Sequence, residues 1–124
     1  MLTGLVAATG FVNPAEAAAD YHCYGTGHWL DRVSLAYHAG RACNGYDGVK
    51  GAFQGWFAPN EHRSVCVNSW TGKIIMEIHN QNKAKGFDLA DADCGYEFSQ
   101  ILNKCPPTAL ITGGYGTNSG WYFR

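Results

Sequence analysis

The sequence predicts a small α+β domain held together by disulfides, and three observations lead to this fold class. The chain of 124 residues contains five cysteines, and the first of them is Cys23. Two segments have helical hydrophobic spacing and carry cysteines, while two alternating segments between them are typical of a β-hairpin. A domain of this size buries only a modest core, so disulfides would stabilise it materially.

The first nineteen residues have the pattern of a secretion signal. Residues 2–12 are apolar, Pro14 follows, and Ala17-x-Ala19 matches a cleavage site. We therefore expect residues 1–19 to be a signal peptide, partial because the usual basic start is absent, and residues 20–124 to be one secreted, extracellular cysteine-rich domain. The apolar run falls short of the ~20 residues that span a bilayer, so stable membrane insertion is not expected.

The charge and motif content narrow the classes of partner. Removing Glu16 with the leader leaves nine acidic and nine basic residues. A near-neutral domain argues against nucleic-acid binding driven by bulk charge. No phosphate loop, dinucleotide fingerprint or calcium loop is present, and no C-x2-C spacing indicates a metal site. We expect a monomer without cofactor or metal.

The first helix is predicted over His28–Cys43, with Thr26 as a plausible N-cap and Asn44-Gly45 as its end. Asp31 in its first turn favours the positive end of the helix dipole. The residues at helical spacing form one expected face: Trp29, Leu30, Val33, Ala36, Tyr37 and Gly40.

A glycine-rich loop, Gly45–Pro59, and then two strands are predicted next. The first strand is Arg63–Trp70, and the second is Lys73–Asn80, with Thr71-Gly72 as the tight turn between them. The second strand alternates cleanly, so its residues divide into two faces: Ile74, Met76 and Ile78 on one, and Ile75, Glu77 and His79 on the other.

The second helix is predicted over Asp91–Cys105, with Asp91 or Asp93 as its cap and Pro106-Pro107 after its end. Its apolar stripe consists of Cys94, Phe98, Ile101 and Cys105. The rest of the chain is predicted to cross a glycine-rich turn, which contains Gly113, Gly114 and Gly116, and to end in a strand at Trp121–Phe123.

The spacing of the cysteines restricts their pairing. Cys94 and Cys105 lie on one helix about 16 Å apart at 1.5 Å per residue, and a disulfide needs Cα atoms within about 7 Å. If the two helices pack antiparallel, Cys23 meets Cys105 and Cys43 meets Cys94. Cys66 is then left unpaired, and we expect a sixth cysteine beyond Arg124 as its partner.

The order of these segments resembles the killer-toxin-like family of small secreted cysteine-rich fungal proteins. The similarity rests on an early cysteine in Tyr21-His22-Cys23, a helix ending in Arg41-Ala42-Cys43, and the strand Arg63-Ser64-Val65-Cys66. It continues with the alternating strand Ile74–Asn82, Cys94-x10-Cys105 on a helix, and a final Gly120-Trp121-Tyr122-Phe123.

The resemblance implies a disulfide-stapled α/β sandwich, in which two antiparallel helices pack on one face of an antiparallel sheet. It also implies a toxin or effector that acts non-enzymatically on a target of another cell, such as an ion channel, since the family's toxin is credited with blocking calcium channels. A cell-wall glycan is a further expected partner, which the loop aromatics indicate rather than the resemblance. The family's toxin has a basic cluster before the strand cysteine, where this chain has Glu61-His62-Arg63-Ser64. We therefore expect binding through His62, Arg63 and the loop aromatics Phe53, Trp56 and Phe57.

Two alternatives remain open. Glu77 and His79 are two residues apart on one strand and so share a face, with His62 and Arg63 near them if the hairpin forms, which would suit a secreted ribonuclease-type hydrolase. The aromatic loop would instead suit a protein that binds cell-wall carbohydrate, although the sequence favours a place for its rings in the core.

Overall fold

The computed structural model describes residues 19–124, and most of the predicted signal peptide lies outside the described residues. The centre of the fold is a five-stranded antiparallel sheet in the order β1-β8-β9-β5-β4. Two short strand pairs, β2 with β7 and β3 with β6, lie beside it. The strands are β1 Asp20–Cys23, β2 Leu30–Asp31, β3 Trp56–Phe57, β4 His62–Ser69, β5 Gly72–Asn80, β6 Phe87–Asp88, β7 Leu110–Ile111, β8 Gly114–Asn118 and β9 Trp121–Phe123.

Two helices, α1 (Arg32–Asn44) and α2 (Asp91–Lys104), complete the fold and pack against each other. Both bury side chains in the same core as β5 and β9, so they lie on one face of the sheet. We call this half of the molecule the helix side and the opposite sheet surface the outer face. The predicted class, a disulfide-linked α+β domain with an antiparallel sheet, is confirmed.

The hairpin of β4 and β5 forms as the alternation predicts. Ser69 pairs with Gly72, so Trp70 and Thr71 make the turn, one residue earlier than the predicted Thr71-Gly72. Ile74, Met76 and Ile78 are buried on the helix side, whereas Ile75 is exposed on the other. Each fully buried aliphatic side chain of this kind stabilises the fold by about 1.5–3 kcal/mol.

The helix α1 differs from its prediction in its start and in the face it buries. It begins four residues later, and its N-cap is Asp31, whose carboxylate accepts from the Ser34 amide at 2.8 Å. The predicted stripe is wrong, because Val33 and Tyr37 are 74% and 56% exposed. The residues that α1 buries are Leu35, Ala39, Ala42 and Cys43. These mostly small residues allow close approach to α2, and packing rather than hydrophobic spacing sets the rotation of the helix.

The helix α2 follows its prediction more closely. Cys94, Phe98 and Ile101 are buried, and so is Cys105 directly after the helix. The predicted side-chain cap is wrong, since Ala90 is the N-cap and makes no side-chain cap hydrogen bond. Asp91 and Asp93 lie in the first turn instead, where their charges still favour the positive end of the helix.

Both predicted disulfides are confirmed. Cys23 is bonded to Cys105 and Cys43 to Cys94, with Cα–Cα distances of 5.0 and 5.6 Å. The end of α1 therefore meets the start of α2, which is the antiparallel arrangement. At the other end of the helix pair, Arg32 donates hydrogen bonds to carbonyl oxygens that follow or end α2: those of Leu102, Cys105, Pro106 and Thr108.

The glycine-rich segment before β9 is a strand rather than the predicted turn. Gly114 and Gly116 belong to β8, which pairs with β1 along four residues. A Cβ atom on Gly114 would collide with the carbonyl oxygen of His22, and one on Gly116 would collide with the ring of Tyr21. Glycine is needed here because β1 crosses these positions too closely for a side chain.

A cavity of about 420 Å³ lies beside the part of β5 that β9 does not reach, and the exposed Ile75 is among its lining residues. Ile74, Phe98, Ile101 and Leu102 line it, with Arg124 among the residues at its edge. Among residues 19–124, no helix is long and apolar enough to cross a membrane.

Candidate functional site

The two faces of the sheet carry different chemistry. Alternation places apolar side chains of β5 toward the helices and directs Lys73, Ile75, Glu77 and His79 outward. On β4 the same alternation directs His62, Ser64, Cys66 and Asn68 to the outer face. Among the described elements both helices lie on the other side, so this face is open to solvent.

A row of rings crosses the outer face, with one ring from each of the five strands. His62 and His79 are opposite each other in the β4–β5 register, and their rings are stacked with centroids 3.6 Å apart. Tyr122 on β9 is the register partner of His79. Tyr115 on β8 follows at 6.1 Å from Tyr122, and His22 on β1 stacks on Tyr115 at 5.0 Å. We call these five residues the ring row.

Charged groups surround one end of the ring row. The Glu77 carboxylate accepts a hydrogen bond from Nδ1 of His62 at 3.0 Å through Oε2, and it pairs with Nε of Arg124 at 3.0 Å through Oε1. The backbones of Glu77 and Arg124 are also hydrogen-bonded to each other at 2.7 and 2.9 Å. We call His62, His79, Glu77 and Arg124 the acid–base cluster.

The environment of His79 favours its neutral form. Partial burial lowers the pKa of His79, and the neighbouring His62 lowers it further. The Glu77 carboxylate acts in the opposite direction without cancelling these effects. Nε2 of His79 is hydrogen-bonded to Oδ1 of Asn60 at 2.8 Å, so this nitrogen is the donor and Nδ1 holds the free lone pair.

The structure brings together Glu77, His79 and His62, which the sequence placed near one another. Arg63, which the sequence also placed nearby, is not among them. The Arg63 side chain points to the helix side, pairs with Glu61 at 3.1 Å, donates to the carbonyl oxygens of Gln54 and Trp56, and stacks on Phe57. The cation at this site is Arg124.

The aromatic loop exposes fewer of its rings to solvent than the sequence predicts. Phe53 and Phe57 are 1% and 0% exposed, so their prediction as contact residues is wrong and the core interpretation holds. Phe53 stacks on Phe98 of α2, and Phe57 meets Trp121 edge to face. Trp56 is 63% exposed and stays available to a partner.

Cys66 carries a free, exposed thiol on the outer face. The prediction that it has no partner among these five cysteines is confirmed. Between residues 19 and 124, no group of three or more His, Cys, Asp or Glu side chains is arranged to hold a metal ion.

The sequence did not indicate several residues of this site. Arg124, Asn60 and Tyr122 join it only through strand pairing and loop folding. Tyr115 and His22 belong to β8 and β1, which were not predicted as strands. An aromatic–glycine alternation, Gly114-Tyr115-Gly116, is the one local signal that could have indicated β8.

Comparison with known proteins gives no relative for this chain: no family model, no curated protein and no solved structure matches it. The resemblance to the killer-toxin-like family therefore stays a prediction from the sequence.

Proposed function

We propose that this protein is a secreted toxin or effector that acts on a target of another cell, and that it engages the target through the outer face of its sheet. The observation that carries this proposal is the ring row: five aromatic or imidazole rings, one from each strand, on a face that no described helix covers. Two of these rings, His22 and His62, are exposed and the other three are partly exposed. Aromatic clusters at a surface are typical of binding sites.

The scaffold suits action outside the producing cell. One disulfide, Cys43–Cys94, joins the end of α1 to the start of α2, and the other, Cys23–Cys105, joins β1 to the residue after α2. Such bonds persist in oxidising compartments. A rigid scaffold loses little conformational entropy when it binds, so most of the contact energy is available as affinity.

The set of residues expected to contact the target therefore differs from the one predicted from the sequence. Of the five residues predicted to bind, His62 belongs to the ring row and Trp56 is exposed elsewhere. Because Arg63 uses its donors within the protein, the channel-blocking mechanism loses the cation on which it depended. The carbohydrate-binding alternative loses two of its three loop aromatics to the core.

The test is an activity assay on cells. Oxidised protein comprising residues 20–124 is applied to a panel of fungal and plant cells, with and without added external calcium, and growth and necrosis are measured. Tyr122→Ala removes a ring from the outer face, and Tyr96→Ala removes a ring that is 56% exposed on α2 as the matched control.

We expect inhibition or necrosis that Tyr122→Ala weakens and Tyr96→Ala does not. Relief by calcium would support a channel as the target, whereas indifference to calcium would exclude that mechanism. If folded protein affects no cell but binds to insoluble chitin or glucan, the carbohydrate-binding alternative replaces the proposal.

A further inference from the structure

The acid–base cluster has the parts of a proton-transfer site. His62 and His79 are stacked at 3.6 Å with an interplanar angle of 12°, and each ring has one nitrogen occupied by a neighbour. Nδ1 of His62 is bonded to Glu77, and Nε2 of His79 is bonded to Asn60. Each ring therefore keeps one nitrogen free, Nε2 in His62 and Nδ1 in His79, to take or give a proton.

The two rings are not equivalent. The Glu77 carboxylate holds the His62 ring through Nδ1, as a carboxylate orients a catalytic imidazole. The cluster also contains a cation, the guanidinium of Arg124. It pairs with the Glu77 carboxylate through Nε, and the Arg124 side chain is 50% exposed. A planar guanidinium with further donors is well suited to a phosphate.

We propose that the outer face binds single-stranded RNA and cleaves its phosphodiester bonds, with His79 as general base, His62 as general acid and Arg124 as the phosphate ligand. This inference rests on the proposed function, because it names the substrate of the same face. It departs from the non-enzymatic action that the resemblance implies. Glu77 acts as a positioning residue for His62.

The reaction is an internal transphosphorylation that needs no further reactant. The ribose 2′-oxygen attacks phosphorus while its proton passes to His79. The bond from phosphorus to the 5′-oxygen breaks, and His62 donates a proton to the leaving oxygen. The products are a 2′,3′-cyclic phosphate and a free 5′-hydroxyl, and each histidine ends in the protonation state of the other. His79 then releases its proton to the solvent and His62 takes one up from it, which restores both rings.

The ring row supplies the contact with the bases. Successive bases of a single strand stack on aromatic side chains without sequence preference, and Tyr122, Tyr115 and His22 extend from the cluster across the sheet. The near-neutral charge of the domain predicts weak affinity and a shallow salt dependence rather than tight binding. DNA is excluded as a substrate because it lacks the attacking 2′-hydroxyl.

The pH dependence follows from the groups around His79. Those that face it are His62, Glu77, Lys83, Tyr122 and Arg124. Since His79 must be neutral to accept a proton and its pKa is lowered from 6.5, the acid limb of the activity profile lies below pH 6.5. Glu77→Gln removes the carboxylate that orients the His62 ring, so it should lower kcat for RNA cleavage without a matching change in KM.

The experiment uses oxidised protein, a fluorescently labelled single-stranded RNA and a DNA of the same sequence, with detection of the cyclic phosphate. The variants are His79→Ala and His62→Ala, and His38→Ala on α1 is the matched control. We expect cleavage of RNA alone, with a loss of about 10²–10⁴-fold in each outer-face variant and none in the control. Thermal unfolding of each variant establishes that it is folded.

Two results would overturn this inference: no RNA cleavage by folded protein, or equal cleavage by both histidine variants and the parent. Both are distinguishable from failure of the proposed function. Activity on cells that persists without RNA cleavage rejects only the RNA substrate, whereas RNA cleavage in a protein harmless to every cell rejects only the role on another cell.

Discussion

The two surfaces of strand β5 show how one short sequence serves two purposes. Toward the helices, Ile74, Met76 and Ile78 are almost completely buried, and their contacts stabilise the fold. Toward solvent, Glu77 and His79 make polar contacts with side chains from other segments. Residues adjacent in sequence thus differ in how much they contribute to the stability of the fold. Substitutions on the helix side should lower stability far more than those on the outer face.

The comparison extends beyond the strand, because four features of the helix side have counterparts on the outer face. Ile78 corresponds to Ile75, the Cys43–Cys94 pair to Cys66, Arg32 to Arg124, and Glu97 to Glu77. Each comparison keeps the residue type and changes its surroundings or bonding. It therefore shows how the place of a residue in the fold affects its contribution to stability.

The largest expected difference is between the two isoleucines. Ile78→Ala should lower the free energy of unfolding by about 2–5 kcal/mol, because it leaves a cavity in a filled core. Ile75→Ala, at a side chain that is 63% exposed, should change it by less than about 0.5 kcal/mol. Urea denaturation of both variants tests this, and equal losses would contradict the division between the faces.

The cysteines form the second pair. Replacing both Cys43 and Cys94 with alanine should cost about 2–4 kcal/mol, since the unfolded chain regains the freedom that the disulfide removes. Cys66→Ala removes a free, exposed thiol and should leave the midpoint of denaturation almost unchanged. A Cys66→Ala variant as unstable as the double variant would show that Cys66 has a structural role.

The arginines should differ by a smaller amount. Arg32→Met removes charge-assisted hydrogen bonds to the carbonyls at the end of α2, and we expect a loss of about 1.5–3 kcal/mol. Arg124→Met breaks one surface ion pair with Glu77, which is worth roughly 0–1 kcal/mol. Chemical denaturation measures both, and a greater loss for Arg124 would reverse the comparison.

The smallest effect concerns a buried acid on the helix side. Burial raises the pKa of Glu97, although its oxygens accept from Tyr21 at 2.5 Å and Asn118 at 2.8 Å. Above the unfolded value of about 4.5, the native state therefore holds more protons than the unfolded state, and stability falls as pH rises toward the folded pKa.

Glu97→Gln should remove this part of the decline in unfolding free energy with pH. Denaturation curves between pH 4 and pH 8, roughly the range over which carboxyl groups with raised pKa titrate, measure the slope. Glu77→Gln on the outer face is the matched control, because it leaves the carboxyl of Glu97 in place. An unchanged slope in Glu97→Gln would mean that burial does not perturb this carboxyl.

The sequence determined those features that depend on residues close together in the chain. The alternation of β5 and the apolar stripe of α2 fix which side chains each element buries, whatever lies opposite. The disulfide pairing needed one tertiary assumption besides local spacing. The helical distance between Cys94 and Cys105 forbids their union, and antiparallel packing of the two helices then predicts Cys23–Cys105 and Cys43–Cys94. Three of the four residues of the acid–base cluster, Glu77, His79 and His62, could be predicted from the alternation and the hairpin.

The tertiary structure decided the rest. The rotation of α1 depends on its fit against α2, because small residues pack well on a neighbour while carrying little hydrophobic signal. The pairing of β1 with β8 joins segments more than 90 positions apart, between Asp20 and Thr117. Arg124 reaches Glu77 only because β9 lies between β5 and β8. Such contacts are set by packing over the whole domain, and the pattern within either segment does not encode them.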